Sequence, residues 1–169
     1  MRSKKLQLMA LVISGMCLVS GCTAAGSVNT GLGSVSASGS IQNLSFTGMF
    51  APVENTNTSA TGSANVEVKE NTTNNTTNNT TNNTTNITNN TTVINVNYTN
   101  LSSEQTQTTI ESEDGSSPTI IVLPNGQINN YTINLNQEQT NLIKSGKAVL
   151  KVKTKNNPNG EIKCKLNKK

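Results

Sequence analysis

Ala148-Val149-Leu150-Lys151-Val152-Lys153-Thr154, then Asn156-Asn157-Pro158-Asn159-Gly160, then Glu161-Ile162-Lys163-Cys164-Lys165-Leu166 is the stretch that decides the fold. Ala148, Leu150, Val152 and Thr154 alternate with Lys151, Lys153 and Lys155, the period of a half-buried strand. Ile162, Cys164 and Leu166 alternate with Glu161, Lys163 and Lys165 in the same way. The Asn/Pro/Gly cluster between them is a turn, because Pro presets φ and Asn and Gly tolerate positive φ. The stretch predicts two antiparallel strands, each with an apolar inner face and a basic outer one.

The same period runs back through the chain. Leu44, Phe46 and Phe50 share a face in a first strand, Ala64, Val66 and Val68 in a second, Ile94, Val96 and Tyr98 in a third, and Thr106, Thr108 and Ile110 in a weaker fourth. Thr119 to Leu123 is a short continuous run, read as a strand buried on both faces. Pro124-Asn125-Gly126 turns the chain, and Tyr131, Ile133 and Leu135 alternate in a sixth strand. Asn136 is a helix cap with Gln139 at the reciprocal capping-box position, and Gly146 ends that helix. The expectation from these patterns is an all-β protein of about eight antiparallel strands with one short helix, a β-sandwich or a barrel.

Two segments lack this period. Thr23 to about Ile41 is rich in Gly, Ser and Ala and reads as a disordered, flexible tether, so that the domain spans 43–169 and residues 22–42 hold it off a surface. Asn71 to Thr92 repeats Asn-Asn-Thr-Thr from Asn74, Asn78 and Asn82. With nothing apolar to bury, the insertion at 71–92 is expected to be a solvated loop. Lengthening a turn from about four to about 26 residues costs only ~1.7 kcal/mol of loop closure, which a sandwich can carry. A surface adhesin or antigen built on this repeat is one alternative reading of the protein; an enzyme with an unrecognised site is another.

The start of the chain speaks to location. Arg2, Lys4 and Lys5 precede an apolar run to Val19, and Leu18-Val19-Ser20-Gly21-Cys22 resembles a bacterial lipobox. The resemblance implies a signal peptide at 1–21, cleavage before Cys22, and a diacylglycerol thioether and an N-acyl chain on Cys22. Two or more acyl chains anchor firmly where one is marginal, at about 0.8 kcal/mol per CH₂. Localisation is then the bacterial cell envelope, at the outer membrane if the cell is Gram-negative, since Thr23 rather than Asp follows the Cys. Of 13 Lys and Arg, three leave with the signal, and ten Lys face nine acids in the remainder.

The chemistry-bearing residues are few. There is no His, so neither His-based catalysis nor a His-rich zinc or copper site is expected. No Ser has a His partner or a convincing Lys base. No enzymatic activity, metal or other cofactor is expected beyond the covalent lipid. Cys164 is the one Cys left after Cys17 is removed and Cys22 acylated, so no intrachain disulfide is expected. It reads as a small buried residue. Glu111, Glu113 and Asp114 form an acidic cluster without the ligand spacing of a calcium loop, and read as a solvated turn.

From Lys144 to Lys169 there are nine Lys and one acid, Glu161. Lys151, Lys153, Lys155, Lys163 and Lys165 are expected on one outer face, with Glu161 beside them. One reading is a patch for an anionic envelope component or an acidic protein ligand. The plainer one is a solvated face whose Lys residues guard an edge strand. Nucleic acid is not expected, because no aromatic residues interleave the Lys run.

Beyond these patterns, Leu142-Ile143-Lys144-Ser145-Gly146, the strand to Thr154, and Asn157-Pro158-Asn159-Gly160-Glu161-Ile162 together resemble the end of a chordin-type (CHRD) domain. Phe46-Thr47-Gly48, Ala51-Pro52-Val53 and Ala60-Thr61-Gly62-Ser63-Ala64 are similar to its opening strand, loop and second strand. The resemblance covers about Asn43 to Leu166 and departs from the family at Asn159, where a Gly is usual, and at Cys164. It implies an antiparallel, Greek-key-like β-sandwich with an architecture like that of Cu/Zn superoxide dismutase, and a binding or structural role outside the cytoplasm. The family's His-x-His falls on Thr109-Ile110-Glu111, so any metal or proton role of that pair is not implied for this chain.

Overall fold

The computed structural model describes residues 23–30, 33–78 and 82–169. The signal peptide at 1–21 and Cys22 lie outside the described residues. The chain forms β1 (Thr23–Thr30), β2 (Gly33–Met49), β3 (Ala51–Pro52), β4 (Thr61–Asn78), β5 (Asn82–Thr99), β6 (Gln105–Ser112), β7 (Ile121–Leu123), β8 (Ile128–Asn134), α1 (Gln137–Lys144), β9 (Ala148–Thr154), β10 (Ile162–Lys165) and β11 (Asn167–Lys168). Sheet A runs β1-β2-β4-β5-β8, with β11 also on β2, and sheet B runs β3-β10-β9-β6-β7. Every ladder is antiparallel. The protein is therefore an all-β sandwich with one short helix. Eight strands enclose the core, and β1, β3 and β11 trim its edges.

The period-two positions meet between the sheets. Phe46, Val66, Val68, Ile94 and Val96 from sheet A bury against Ile110, Leu150, Val152, Ile162 and Cys164 from sheet B. Such alternation places one apolar face of each sheet toward the other. The sheets approach closely at Gly48, where an added Cβ would lie 2.2 Å from the Lys165 carbonyl oxygen and 2.6 Å from Cys164 Sγ. Helix α1 caps one end. Asn136 accepts from the Gln139 amide at 2.9 Å, and Gln139 accepts from the Asn136 amide at 3.1 Å, which is the expected capping box. Thr140, Leu142 and Ile143 are its buried face.

Three expectations are corrected. Ile121 and Leu123 are buried, but Ile120 and Val122 are 52% and 57% exposed, so the run at 119–123 is not buried on both faces. It forms an edge strand with β6 as its only partner among the described residues, and nothing covers its outer side.

The other two corrections share one cause. The described residues of the segment expected as a disordered tether form β1 and the first half of β2, and residues 71–78 and 82–92 of the Asn/Thr insertion form not a loop but the distal halves of β4 and β5; 31–32 and 79–81 lie outside the described residues. Core pairing of Val68 with Thr92 and Val66 with Ile94 already brings the two arms together. Each further pair then adds ladder hydrogen bonds while shortening the loop that remains to be closed. Thr favours strands, and five of the eight pairs from Asn71 to Asn78 set like opposite like, as in Asn71↔Asn89 and Thr72↔Thr88. Ser34 to Ile41 pair with Asn71 to Asn78, and β1 folds back on β2 from Thr23↔Ser40 to Thr30↔Gly33. A four-stranded sheet thus continues about 27 Å beyond the sandwich, at 3.4 Å per residue.

Candidate functional site

Residue 23 is the first described position, at the start of β1 and opposite Ser40. The chain's other end approaches the same edge of β2: Lys168 pairs with Phe46, and the Lys169 amide donates to the Ser45 carbonyl at 2.9 Å. The residue after Cys22 and the last two Lys therefore flank β2 residues 41–44. No spacing in the sequence announces this meeting, which arises from strand pairing across more than 120 residues.

Four of the five candidate Lys residues lie on the adjacent strands β9 and β10, with Lys151 directly opposite Lys163, and Lys155 follows the end of β9. Like charges so placed repel, and the fold answers with acids from the neighbouring strand β6 and from the residues on either side of it. Lys151 pairs with Glu111 on β6, Lys165 with Glu113 at 2.7 Å, and Lys155 with Glu104 at 2.5 Å. Lys147 adds a pair with Asp114 at 3.1 Å. The cluster at 111–114, read as a solvated turn, is the counter-charge of the Lys face. Antiparallel pairing of β6 with β9 sets Thr109 opposite Lys151 and Glu111 opposite Val149, within diagonal reach. Among the described residues Lys153 and Lys163 have no ion pair, so the unneutralised charge on this face is two cations rather than five.

Glu161 is the residue that the alternation misplaced. It does not sit with the outer Lys residues but is fully buried. Gly160, at φ 125°, turns the chain so that Glu161 precedes β10 and points inward. Its Oε1 accepts from Thr58 Oγ1 at 2.6 Å and the Ser102 amide at 2.7 Å. Its Oε2 accepts from Ser102 Oγ at 2.8 Å, Thr154 Oγ1 at 2.7 Å and Asn157 Nδ2 at 3.4 Å. Its carbonyl accepts from the Val53 amide and Thr56 Oγ1. One residue thus ties the loop after β3, the loop before β6 and the β9–β10 turn. Burial opposes the charge, but the donors outweigh it and hold the carboxyl down to about 2. The alternation carried no signal for this, since it sets Glu161 on the outer face with Lys163 and Lys165.

Other polar groups also brace the fold. Under α1, Lys144 grips both oxygens of Glu70 at 3.0 and 2.9 Å, and Asn90 Nδ2 donates to Thr140 Oγ1 at 3.1 Å. The Ser112 and Ser116 hydroxyls, the Ser116 amide and Lys147 hold Asp114 well below the usual carboxylate range. This turn and α1 border a cleft of about 530 Å³ lined by Ser116, Thr119, Asn141, Ser145 and Lys147. Cys164 is buried, as expected, and burial pushes its thiol up to about 11, only partly offset by the Ala64 backbone. Among the described residues no helix is long and apolar enough to cross a membrane, and no three His, Cys, Asp or Glu side chains group as a metal-ligand set. Compared with known proteins, the chain matches no family model, no curated protein and no solved structure.

Proposed function

We propose that the chain is a lipid-anchored cell-envelope protein that carries a non-enzymatic, CHRD-like β-sandwich as a binding or structural module. The observation that carries this reading is the lipobox-like Leu18-Val19-Ser20-Gly21-Cys22 followed, one residue later, by a strand built into sheet A. An acyl anchor on Cys22 would join the sheet directly, without the long tether that the composition predicts.

The use of its charged groups supports a module rather than a reaction centre. Glu70, Glu104, Glu111, Glu113, Asp114 and Glu161 are each engaged by Lys, Ser, Thr or Asn within the sandwich. An anionic envelope component or an acidic protein ligand would meet Lys153 and Lys163, the two cations of the outer face without an ion pair among the described residues.

The test of the anchor is growth with labelled palmitate followed by membrane fractionation. The parent is expected to carry label and sediment with membranes, and Cys22→Ser to lose both. Label persisting on Cys22→Ser overturns the anchor. For the module, Lys153→Gln with Lys163→Gln is expected to abolish pull-down of the anionic component by the parent chain; undiminished capture removes that face from the function.

A further inference from the structure

We propose that the distal half of β5 is a self-association edge, through which two copies of this chain pair strand to strand about a two-fold axis at Asn86. Among the described residues β8 pairs with β5 only from Thr91 onward, so the side of β5 away from β4 carries no strand between Asn82 and Asn90. Unpaired N–H and C=O groups on such an edge form a template for another strand, and folded proteins ordinarily block it with charge, Pro, bulges or brevity.

Edges of the sandwich itself, at β7, β3 and β8, are blocked in those ways. β7 has three residues between Pro118 and Pro124, β3 has two, and β8 carries a register shift against β5 and a positive φ at Asn130. Residues 71–92 contain no charged residue, no Pro and no Gly. Among the described residues the β5 edge is neutral and carries no strand from Asn82 to Asn89, and α1 reaches it only at Asn90, whose Nδ2 donates to Thr140.

The occupant follows from the order of residues. Asn82-Asn83-Thr84-Thr85-Asn86-Ile87-Thr88-Asn89-Asn90 reads nearly the same in both directions about Asn86. Antiparallel self-pairing centred there sets Asn82 opposite Asn90, Asn83 opposite Asn89 and Thr84 opposite Thr88, with only Thr85 against Ile87 unlike. Such like pairings suit an isologous contact, in which the same patch serves both partners. The other uncovered edge of the extension, β1, lacks this symmetry: read about its centre it sets Ala24 against Asn29 and Ala25 against Val28. Nine residues in an antiparallel ladder exchange about eight to ten backbone hydrogen bonds, within the number a stable interface carries. The assembled sheet would run continuously from one sandwich to the other.

The experiment places a thiol on the axis. Two copies of residue 86 would lie about 4.5–5.5 Å apart at Cα, inside the range that a disulfide spans. In the full chain, Asn86→Cys is expected to form a disulfide-linked dimer under mild oxidation in intact cells. Thr76→Cys, on β4 and already covered by β5, is expected to stay at the background set by the parent's own cysteines. Thr84→Lys with Thr88→Lys sets Lys against Lys across the axis. In detergent, with solvent density matched, this variant is expected to sediment as a monomer where the parent sediments as a dimer, with unchanged circular dichroism. A parent that is monomeric at tens of micromolar overturns the proposal. So does an Asn86→Cys chain that cross-links no more than Thr76→Cys, that links only to a different protein, or that belongs to an open-ended assembly larger than a dimer.

Discussion

Replacing Glu161 by Gln keeps the shape of the side chain and removes only its charge and one acceptor. The Thr58 hydroxyl and the Ser102 amide retain an oxygen, but a hydrogen bond to a charged acceptor contributes about 1.5–3 kcal/mol against about 0.5–1.5 for a neutral one. That difference is about 1 kcal/mol for each of the two. The new amide then faces Ser102 Oγ and Thr154 Oγ1, which can turn to accept, and the Asn157 amide, which cannot. The sum is a loss of about 2–3 kcal/mol at pH 7, with no discount for solvent because the residue is fully buried. The sign with pH follows from a depressed folded pKa. The contribution is complete above the ordinary carboxyl value of 4.5 and is lost as pH falls through about 2. Urea unfolding of parent and Glu161→Gln should therefore differ by about 2–3 kcal/mol at pH 7 and converge as pH falls through about 2, where the parent's carboxyl itself takes up its proton. A difference below about 0.5 kcal/mol at pH 7 would refute the role of the charge. An equal difference at both pH values would show that packing, not ionisation, carries it.

Three further outcomes are expected. Glu111→Gln with Glu113→Gln frees Lys151 and Lys165, so the variant should elute from a heparin column at higher salt than the parent; unchanged elution would show that these pairs do not mask the face. Asn136→Ala removes the side-chain half of the capping box and leaves the residue-136 amide free to donate to Gln139; it should cost about 1 kcal/mol in thermal or urea unfolding, with the sandwich intact. Cys164, buried and with its thiol near 11, should resist maleimide in the native chain at pH 8 and react fully in urea. Prompt native labelling of Cys164 would mean that the sheets part there far more readily than this packing implies.

The strands of the core were legible because period two is a local property. Ala64, Val66 and Val68, or Leu150, Val152 and Ile162, need only their own neighbours in sequence to declare a buried face. The capping box at Asn136 and Gln139 was legible for the same reason. The Lys face was legible as strand faces but not as charge, because Glu111 and Glu113 reach Lys151 and Lys165 only through the pairing of β6 with β9 and of β9 with β10. Glu161 was misread because alternation takes no account of a turn at Gly160 that carries it inward.

The sequence by itself determined an all-β chain, its core positions and its helix cap, each encoded in residues a few places apart. Tertiary structure decided what 71–92 and 23–41 become, which acids meet which lysines, and that the chain's two described ends share one edge of β2. The physical reason is that polar Asn and Thr have no burial pattern to announce a strand. They enter one only when a ladder started by Val66, Val68 and Ile94 has already met the cost of bringing the arms together.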